Sequence, residues 1–473
     1  MIMATQRGWR DISDDVGFQR ATRKRLLGEG LLRNAVNFPA RLAIHDIESG
    51  WRLTFAELEN RANHIAHGLL DHGLTAGDRI CILGRNYVDT LVLYFAVAKM
   101  GAIAVPLNYY AIAEEQRYIL ADSAPKMALV STECAESLVA ETFAGIQVFT
   151  FAPDGKSGDL AAWIGAEIRE PPLVDIADRA PAFILYTGGT TGRPKGVALS
   201  QAGYVAMAES TIQALAPQGF GRGDSWLILG PLYHGAAIAY SIIGLHYGQA
   251  VHLMREYNAA KALDALSNKY GTVTWFIPTM SRRTVDYVAQ QNIVPAALDG
   301  LRIIISAGAP LSLELRKELG RTFRKCQVID ILGQTEMTST ILVHAEPQNI
   351  ERTPTAVGLP TPGVAVALLD ERSVPVPAGE IGELCYLGES LMLGYWNKPE
   401  ATAEAMAGGW FHSGDLARRD EDGIIFIAGR KKDLIKSGGE NVIPNEIEDI
   451  LRNIAALYQL IHPCRIGRRR TKT

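Results

Sequence analysis

Between residues 41 and 130 the chain alternates short apolar runs with longer amphipathic ones. That alternation restricts the fold more than any other feature of the sequence. Residues 41–46 read as a strand and 51–55 as its hairpin partner. Thr54 and Glu57 have the spacing of a capping box, which starts a helix carrying Leu58, Ala62, Ile65, Ala66 and Leu69 on one face. Residues 79–83 read as a strand, 87–100 as a helix, 102–106 as a strand, 116–121 as a helix and 127–130 as a strand. Such β-α-β-α order with short connections predicts an α/β fold of parallel, helix-covered sheets, with ligands at the carboxyl ends of the strands. Residues 131–180 are weakly patterned and leave room for one more αβ unit and a connection.

The richest local signal lies at residues 186–196, Y-T-G-G-T-T-G-R-P-K-G. An apolar strand candidate, 182–186, precedes it. Residues 197–200 and a helix from about Gln201 follow. Glycines let a backbone curl and present bare N–H groups to an anion. Thr187, Thr190 and Thr191 add hydroxyl donors, and Lys195 adds a full positive charge. This composition suits a polyphosphate, although a flexible surface loop is the plain alternative. It is not a Walker P-loop, which needs glycine before the lysine and Ser or Thr after it. Pro194 disfavours helix at Arg193, and Gly196 is a poor helix former, so Lys195 is expected on an extended or turning segment.

Global charge excludes little and directs nothing. Lys plus Arg number 47 and Asp plus Glu 51, a formal charge of −4, which gives no footprint for nucleic acid or a membrane surface. The five cysteines are scattered without a C-x-x-C pair, which argues against a disulfide framework or zinc finger and fits a reducing cytoplasm. The N-terminus is too polar for a signal peptide. The most membrane-like run, 90–107, carries Lys99, Gly101 and Pro106 and reads as helix then strand rather than a span. His45, His64, His67 and His72 lack metal-ligand spacing and read as packing or surface residues.

Further along, several strand ends carry chemistry. A strand at 226–229 leads to His234 among small residues, where a histidine can border a substrate. A strand at 301–305 runs into Ala307-Gly308-Ala309-Pro310, a small-residue turn on which a flat ring can lie. A strand at 328–332 enters Gly333-Gln334-Thr335-Glu336, a hydroxyl and carboxylate suited to phosphate and Mg²⁺. From about residue 357 to 429, Gly and Pro rise and helices become scarce. A small β-rich subdomain, a distorted barrel, is expected there. Within it, residues 410–415 read as a turn presenting Asp415, an acid able to take the hydroxyls of a ribose. Residues 429–441, with four cations and three glycines, read equally as a functional loop or an exposed hairpin.

Assembled in order, these motifs resemble the adenylate-forming superfamily over about residues 35–451. That superfamily includes acyl- and aryl-CoA ligases, luciferases and peptide-synthetase adenylation domains. The resemblance implies a large N-terminal domain, 1–429, of two helix-covered, mostly parallel sheets plus the β-rich subdomain. A hinge and partial C-terminal domain, 430–473, would follow. It matches Thr187, Gly188, Gly189, Thr190, Thr191, Gly192 and Lys195 to the phosphate loop and His234 to the acyl pocket. Ala307, Gly308 and Ala309 match the adenine turn, with Leu332 and Gly333 beside it. Thr335 matches the phosphate-contacting threonine and Glu336 the Mg²⁺-associated acid. Asp415 and Arg430 match the ribose contacts, Lys432 the hinge, and Lys436 with Gly438 and Gly439 the loop that serves thioester formation.

The chemistry so implied uses ATP, Mg²⁺ and CoA. A small-molecule carboxylic acid attacks the α-phosphate to give acyl-AMP, and a thiol then displaces AMP. The alternatives carried alongside are a non-catalytic nucleotide-binding remnant and a phosphotransferase. Three departures stand out. Gly188 replaces the serine that opens the family's phosphate loop, removing one hydroxyl donor. Leu332 replaces an aromatic residue that packs on adenine, at a cost of about 1 kcal/mol. Only 22 residues follow Leu451, ending in a basic tail. A truncated or frame-shifted C-terminal domain is the expectation, with slow adenylation and slower thioester formation; a nucleic-acid or membrane patch is the other reading. The sequence identifies neither the acid nor the oligomeric state.

Overall fold

The computed structural model describes residues 25–136, 140–188, 193–353, 355–433, 435–437 and 440–442. The chain divides into two compact units. The first comprises Met1–Thr355, Pro360–Val364 and Gly388–Ala403; the second comprises Ala356–Leu359, Ala365–Leu387 and Glu404–Thr473.

Two sheets build the first unit. One runs in the order Leu359–Pro360, Leu342–His344, Gln327–Leu332, Ile303–Ser306, Val273–Phe276, Ser225–Ile228, Ala250–Leu253, Leu42–Asp46 and Arg52–Thr54. The six strands from Gln327–Leu332 to Leu42–Asp46 are parallel, and Leu342–His344 and Arg52–Thr54 pair antiparallel with the strands at the two ends of that set. The other runs Gly394–Tyr395, Lys195–Ser200, Pro181–Thr187, Ile103–Pro106, Arg79–Leu83, Met127–Ser131 and Gln147–Phe151. It is parallel from Pro181–Thr187 onward and antiparallel at its first two strands. The α/β class with two mostly parallel sheets is therefore as the strand–helix alternation predicts.

Local signals set many of the element boundaries. Thr54 and Glu57 form the expected capping box, Thr54 Oγ1 accepting from Glu57 N and Glu57 Oε2 from Thr54 N, and helix Phe55–Asp71 begins there. The run at 90–107 is helix Val88–Lys99 followed by strand Ile103–Pro106. Every residue of that helix is buried, and it packs against strands of both sheets. Its two charges are consequently paired: Asp89 with Arg61 at 2.6 Å and Lys99 with Glu59 at 2.6 Å. Removing one partner of such a buried pair leaves an uncompensated charge, at a cost of about 3–5 kcal/mol. Among the described residues no helix is long and apolar enough to cross a membrane.

The second unit carries the antiparallel sheet Val364–Leu369, Ile381–Gly388, Phe411–Arg419 and Ile425–Arg430. Among the described residues its four strands run in that order without closing on one another, so the sheet is open rather than the distorted barrel expected from the sequence, and isolated bridges Gly358–Ile425 and Leu369–Pro375 extend its two outer strands. Residues 388–403 lie between its strands in sequence yet belong to the first unit. A hairpin of Ile435–Ser437 and Glu440–Val442 follows.

Candidate active site

The glycine-rich segment connects the two strands of a hairpin. Pro181–Thr187 pairs antiparallel with Lys195–Ser200, and Thr187 lies opposite Lys195. Pro194 keeps the chain extended, so Lys195 opens a strand and stands at the base of the loop. Gly188 is exposed and its φ is outside the left-handed region; a Cβ added there would meet nothing within 4 Å among the described residues. Gly189, Thr190, Thr191 and Gly192 lie outside the described residues. The base of the loop is braced from below. Tyr186 Oη donates to Asp122 Oδ2 at 2.7 Å, and Tyr118 Oη donates to the Pro194 carbonyl at 3.2 Å.

Lys195 does not stand alone. Its Nζ lies over the ring of Tyr395, 4.8 Å from the centroid, and Tyr395 Oη donates to Glu336 Oε1 at 3.0 Å. Burial, reinforced by the neighbouring Glu336 carboxylate, raises the Tyr395 phenol above its ordinary pKa, so it stays protonated and donates. The backbone fixes this arrangement. Strand Gly394–Tyr395 pairs with Ala198 and Val197, Trp396 N donates to the Gly196 carbonyl, and Met392 N donates to the Glu336 carbonyl. One short segment thereby ties the loop lysine to the acid. Sequence reasoning missed Tyr395, Tyr118 and Asp122; G-Y-W at 394–396 was the available signal for the first.

Thr335 and Glu336 occupy a one-turn 3-10 helix, Thr335–Met337, beyond strand Gln327–Leu332. The segment folds back so that Ile341 N donates to the Leu332 carbonyl and Ser339 N to the Gln334 carbonyl. Thr338 and Ser339 have φ of 53° and 98° to make the reversal. A Cβ on Gly333 would stand 1.2 Å from the Ser339 carbonyl oxygen. The glycine is thus required by the crossing backbone. Leu332 is half-buried at the strand end.

His234 caps helix Gly235–Tyr247, its Nδ1 accepting from Ala236 N at 3.2 Å, which leaves the neutral ring's proton on Nε2. Its ring lies nearly parallel to that of Trp275, at a centroid distance of 6.0 Å. His234 keeps contact with solvent, while the protein packed around its imidazole partly desolvates the ring and lowers its pKa. Asn86 Nδ2 donates to the carbonyls of Gly230 and Met254 and its Oδ1 accepts from Leu232 N, holding the turn before His234. Gly235 brings the helix start against the 3-10 turn: a Cβ there would lie 3.7 Å from Thr335 Oγ1 and 3.8 Å from Ser339 Oγ.

Ala307, Gly308 and Ala309 leave strand Ile303–Ser306, the neighbour of Gln327–Leu332. Gly308 and Ala309 are exposed, and Gly308 has φ +84°, a conformation that favours glycine. This turn and residues 333–336 therefore follow the carboxyl ends of adjacent parallel strands, the usual ligand position in such sheets.

In the second unit, Asp415 and Arg430 are cross-strand partners, with Oδ1 and Nε 3.0 Å apart. Asp415 is not on a turn between elements as expected; it lies within strand Phe411–Arg419. The register jumps there from His412 opposite Cys385 to Leu416 opposite Glu383, so residues 413–415 bulge, with Gly414 at φ +75° and Ser413 Oγ accepting from Asp415 N. Lys432 is exposed in the turn Lys431–Asp433. Lys436 lies on strand Ile435–Ser437, while Gly438, Gly439 and everything after residue 442 lie outside the described residues.

Comparison with known proteins identifies the family. The AMP-binding enzyme family matches residues 31–396. A feruloyl-CoA synthase of Amycolatopsis sp is 32% identical over 426 residues, covering 90% of this chain and 82% of that protein. A fatty acid–[acyl-carrier-protein] ligase, ScoC of Streptomyces coeruleorubidus, is 32% identical over 413 residues, covering 85% and 77%. The crystal structure of ATP-bound MatB from Rhodopseudomonas palustris superimposes with a TM-score of 0.80 at 30% identity, covering 91% of this chain and 83% of that one. With the family matched across most of its length, this chain belongs to the AMP-binding enzymes, the adenylate-forming ligases.

Proposed function

We propose that this chain activates a small-molecule carboxylic acid with ATP, giving an acyl-adenylate and pyrophosphate, and passes the acyl group to the thiol of CoA. The observation that carries this reading is the link Lys195–Tyr395–Glu336, which holds a cation and a carboxylate at opposite ends of one phenol. A polyphosphate needs the first, and its metal ion needs the second.

The residues divide the work by chemistry. Lys195, Thr187 and the loop N–H groups receive phosphate oxygens, and Thr335 adds a hydroxyl donor. Glu336 is a hard oxygen ligand with one oxygen held by Tyr395, which suits a Mg²⁺ that completes its shell with water and phosphate. Bound there, the ion would neutralise charge on the phosphates. His234, neutral and donating from Nε2, borders the acid beside the N-terminus of Gly235–Tyr247, where partial positive charge favours a carboxylate. The Ala307, Gly308 and Ala309 turn receives adenine, and Leu332 gives it apolar contact. Asp415 and Arg430 receive the ribose. Lys432 serves as the hinge, and Lys436 with Gly438 and Gly439 serves the thioester step. Catalysis is mainly positioning and charge neutralisation.

The test is carboxylate-dependent exchange of labelled pyrophosphate into ATP, across aryl acids such as ferulate and fatty acids of graded length. Exchange with one class and acyl-CoA formation on adding CoA are expected. Clear AMP binding with no exchange for any acid would replace this reading with a non-catalytic nucleotide binder. Transfer of the γ-phosphate to an acceptor would replace it with a phosphotransferase.

A further inference from the structure

The second unit holds a cluster for which nucleotide chemistry has no use. Strands Ile381–Gly388 and Phe411–Arg419 pair antiparallel with Cys385 opposite His412, and Glu383 lies two residues before Cys385. His412 Nδ1 is 3.0 Å from Glu383 Oε2 and 3.4 Å from Cys385 Sγ. The three ligand-type atoms all lie within 4.8 Å of one another. Cys385 and Glu383 are buried and His412 is half-buried.

These separations are those of a coordination shell. Zinc holds sulfur at about 2.3 Å and nitrogen at about 2.0 Å, so the sulfur–nitrogen edge of a tetrahedral site is roughly 3.5 Å. The observed edge is 3.4 Å. The outer contacts are also those that a metal site uses. His412 Nε2 lies 3.1 Å from the Ala407 carbonyl oxygen, which fixes the ring and turns the Nδ1 lone pair toward the cluster. Gly414 N donates to Glu383 Oε1 at 3.2 Å, orienting the carboxylate. Lys431 Nζ rests 2.8 Å from Glu383 Oε2, and with its side chain 51% exposed it can swing into solvent and give up that oxygen.

We propose that Glu383, Cys385 and His412 form a site for a zinc-type divalent cation, with water as the fourth ligand. On binding, the Cys385 S–H bond breaks and the sulfur lone pair forms the metal bond. That proton, and any proton on Nδ1, leaves to solvent, and no electron is transferred. The cation displaces the Lys431 ammonium from Glu383. Bound there, it cross-links the two strands where the bulge carrying Asp415 begins.

The test uses the full chain, freed of metal with a chelator and titrated with Zn²⁺ by calorimetry and with Co²⁺ by absorption. One equivalent is expected, with a sulfur-to-cobalt charge-transfer band. Cys385→Ser should abolish the band, and His412→Ala and Glu383→Gln should each weaken Zn²⁺ by at least about tenfold. Lys431→Met changes an exposed side chain and leaves all three ligands in place, so it reports even where a ligand variant folds poorly; it should tighten binding. Absence of stoichiometric Zn²⁺ binding would overturn the proposal, leaving the cluster a hydrogen-bonded brace. A thiolate band that persists in Cys385→Ser, arising from another cysteine, or weaker binding by Lys431→Met, would overturn it equally.

Discussion

Asp415 and Arg430 face each other across two antiparallel strands, Oδ1 to Nε at 3.0 Å, with the aspartate buried and the arginine side chain 54% exposed. With its arginine in solvent, where water screens the charge, the pair adds only about 0–1 kcal/mol to stability. Its value lies in presenting an acceptor and a donor together. Asp415→Ala should therefore weaken AMP binding by roughly ten- to a hundredfold, the worth of hydrogen bonds to a charged group, with little change in the urea midpoint. Equal loss of stability and affinity would make the pair a structural one.

Tyr395 connects Lys195 and Glu336, 141 positions apart in sequence. Tyr395→Phe keeps the ring under Lys195 but removes the hydroxyl that holds Glu336. A loss of about 1–2 kcal/mol, roughly five- to thirtyfold in kcat/KM for pyrophosphate exchange, is expected. Tyr395→Ala removes the cation–π contact as well and should cost about a further 0.5–1 kcal/mol. Wild-type exchange in Tyr395→Phe would remove the tyrosine from the proposed site.

Among the described residues nothing lies within 4 Å of a Cβ added at Gly188, and its φ is outside the left-handed region. Gly188→Ser restores a hydroxyl donor without meeting any described residue. The KM for ATP should fall by about fivefold, one neutral hydrogen bond, with stability unchanged or slightly raised. An unaltered KM would place the phosphates away from this end of the loop.

Gly333 is the opposite case. Its missing Cβ is occupied by the Ser339 carbonyl oxygen, 1.2 Å away, so Gly333→Ala must displace the backbone that carries Thr335 and Glu336. Destabilisation of about 3 kcal/mol or more is expected from chemical denaturation, with loss of exchange activity. A wild-type unfolding midpoint would contradict the crossing.

His252 is buried with its Nδ1 3.1 Å from that of His45 and its ring against Tyr270. Burial, with the charges of His45 and Arg52 adding to it, lowers its pKa to about 4. The folded protein therefore keeps it neutral, while the unfolded chain takes up a proton below about pH 6.5. Its contribution to stability is complete above that pH and declines between about 6.5 and 4, by up to roughly 3 kcal/mol. Urea midpoints from pH 7.5 to 5 should fall, and His252→Gln should flatten the slope. An unchanged slope would place the acid sensitivity elsewhere.

Much of the site was legible locally. Lys195 heads a strand because Pro194 bars helix before it, and Thr335 and Glu336 follow a strand because an apolar run ends at Leu332. The glycines were less legible. Gly308 and Gly333 look alike in sequence, yet one meets a left-handed φ and the other a crossing chain. Asp415 read as a turn residue because a bulge and a turn share the same small, polar composition; only the partner strand's register tells them apart.

By itself the sequence determined the strand–helix rhythm, the capping box at Thr54, the extended lysine and the order of motifs that marks an adenylate-forming ligase. These follow from propensities and sterics acting over a few residues. The tertiary structure decided that residues 388–403 return to the first unit, that Tyr395 joins Lys195 to Glu336, and that Asp415 meets Arg430. Such pairings depend on which strands share a sheet and in what register. Burial summed over the whole core sets that choice, and no short stretch of residues records it.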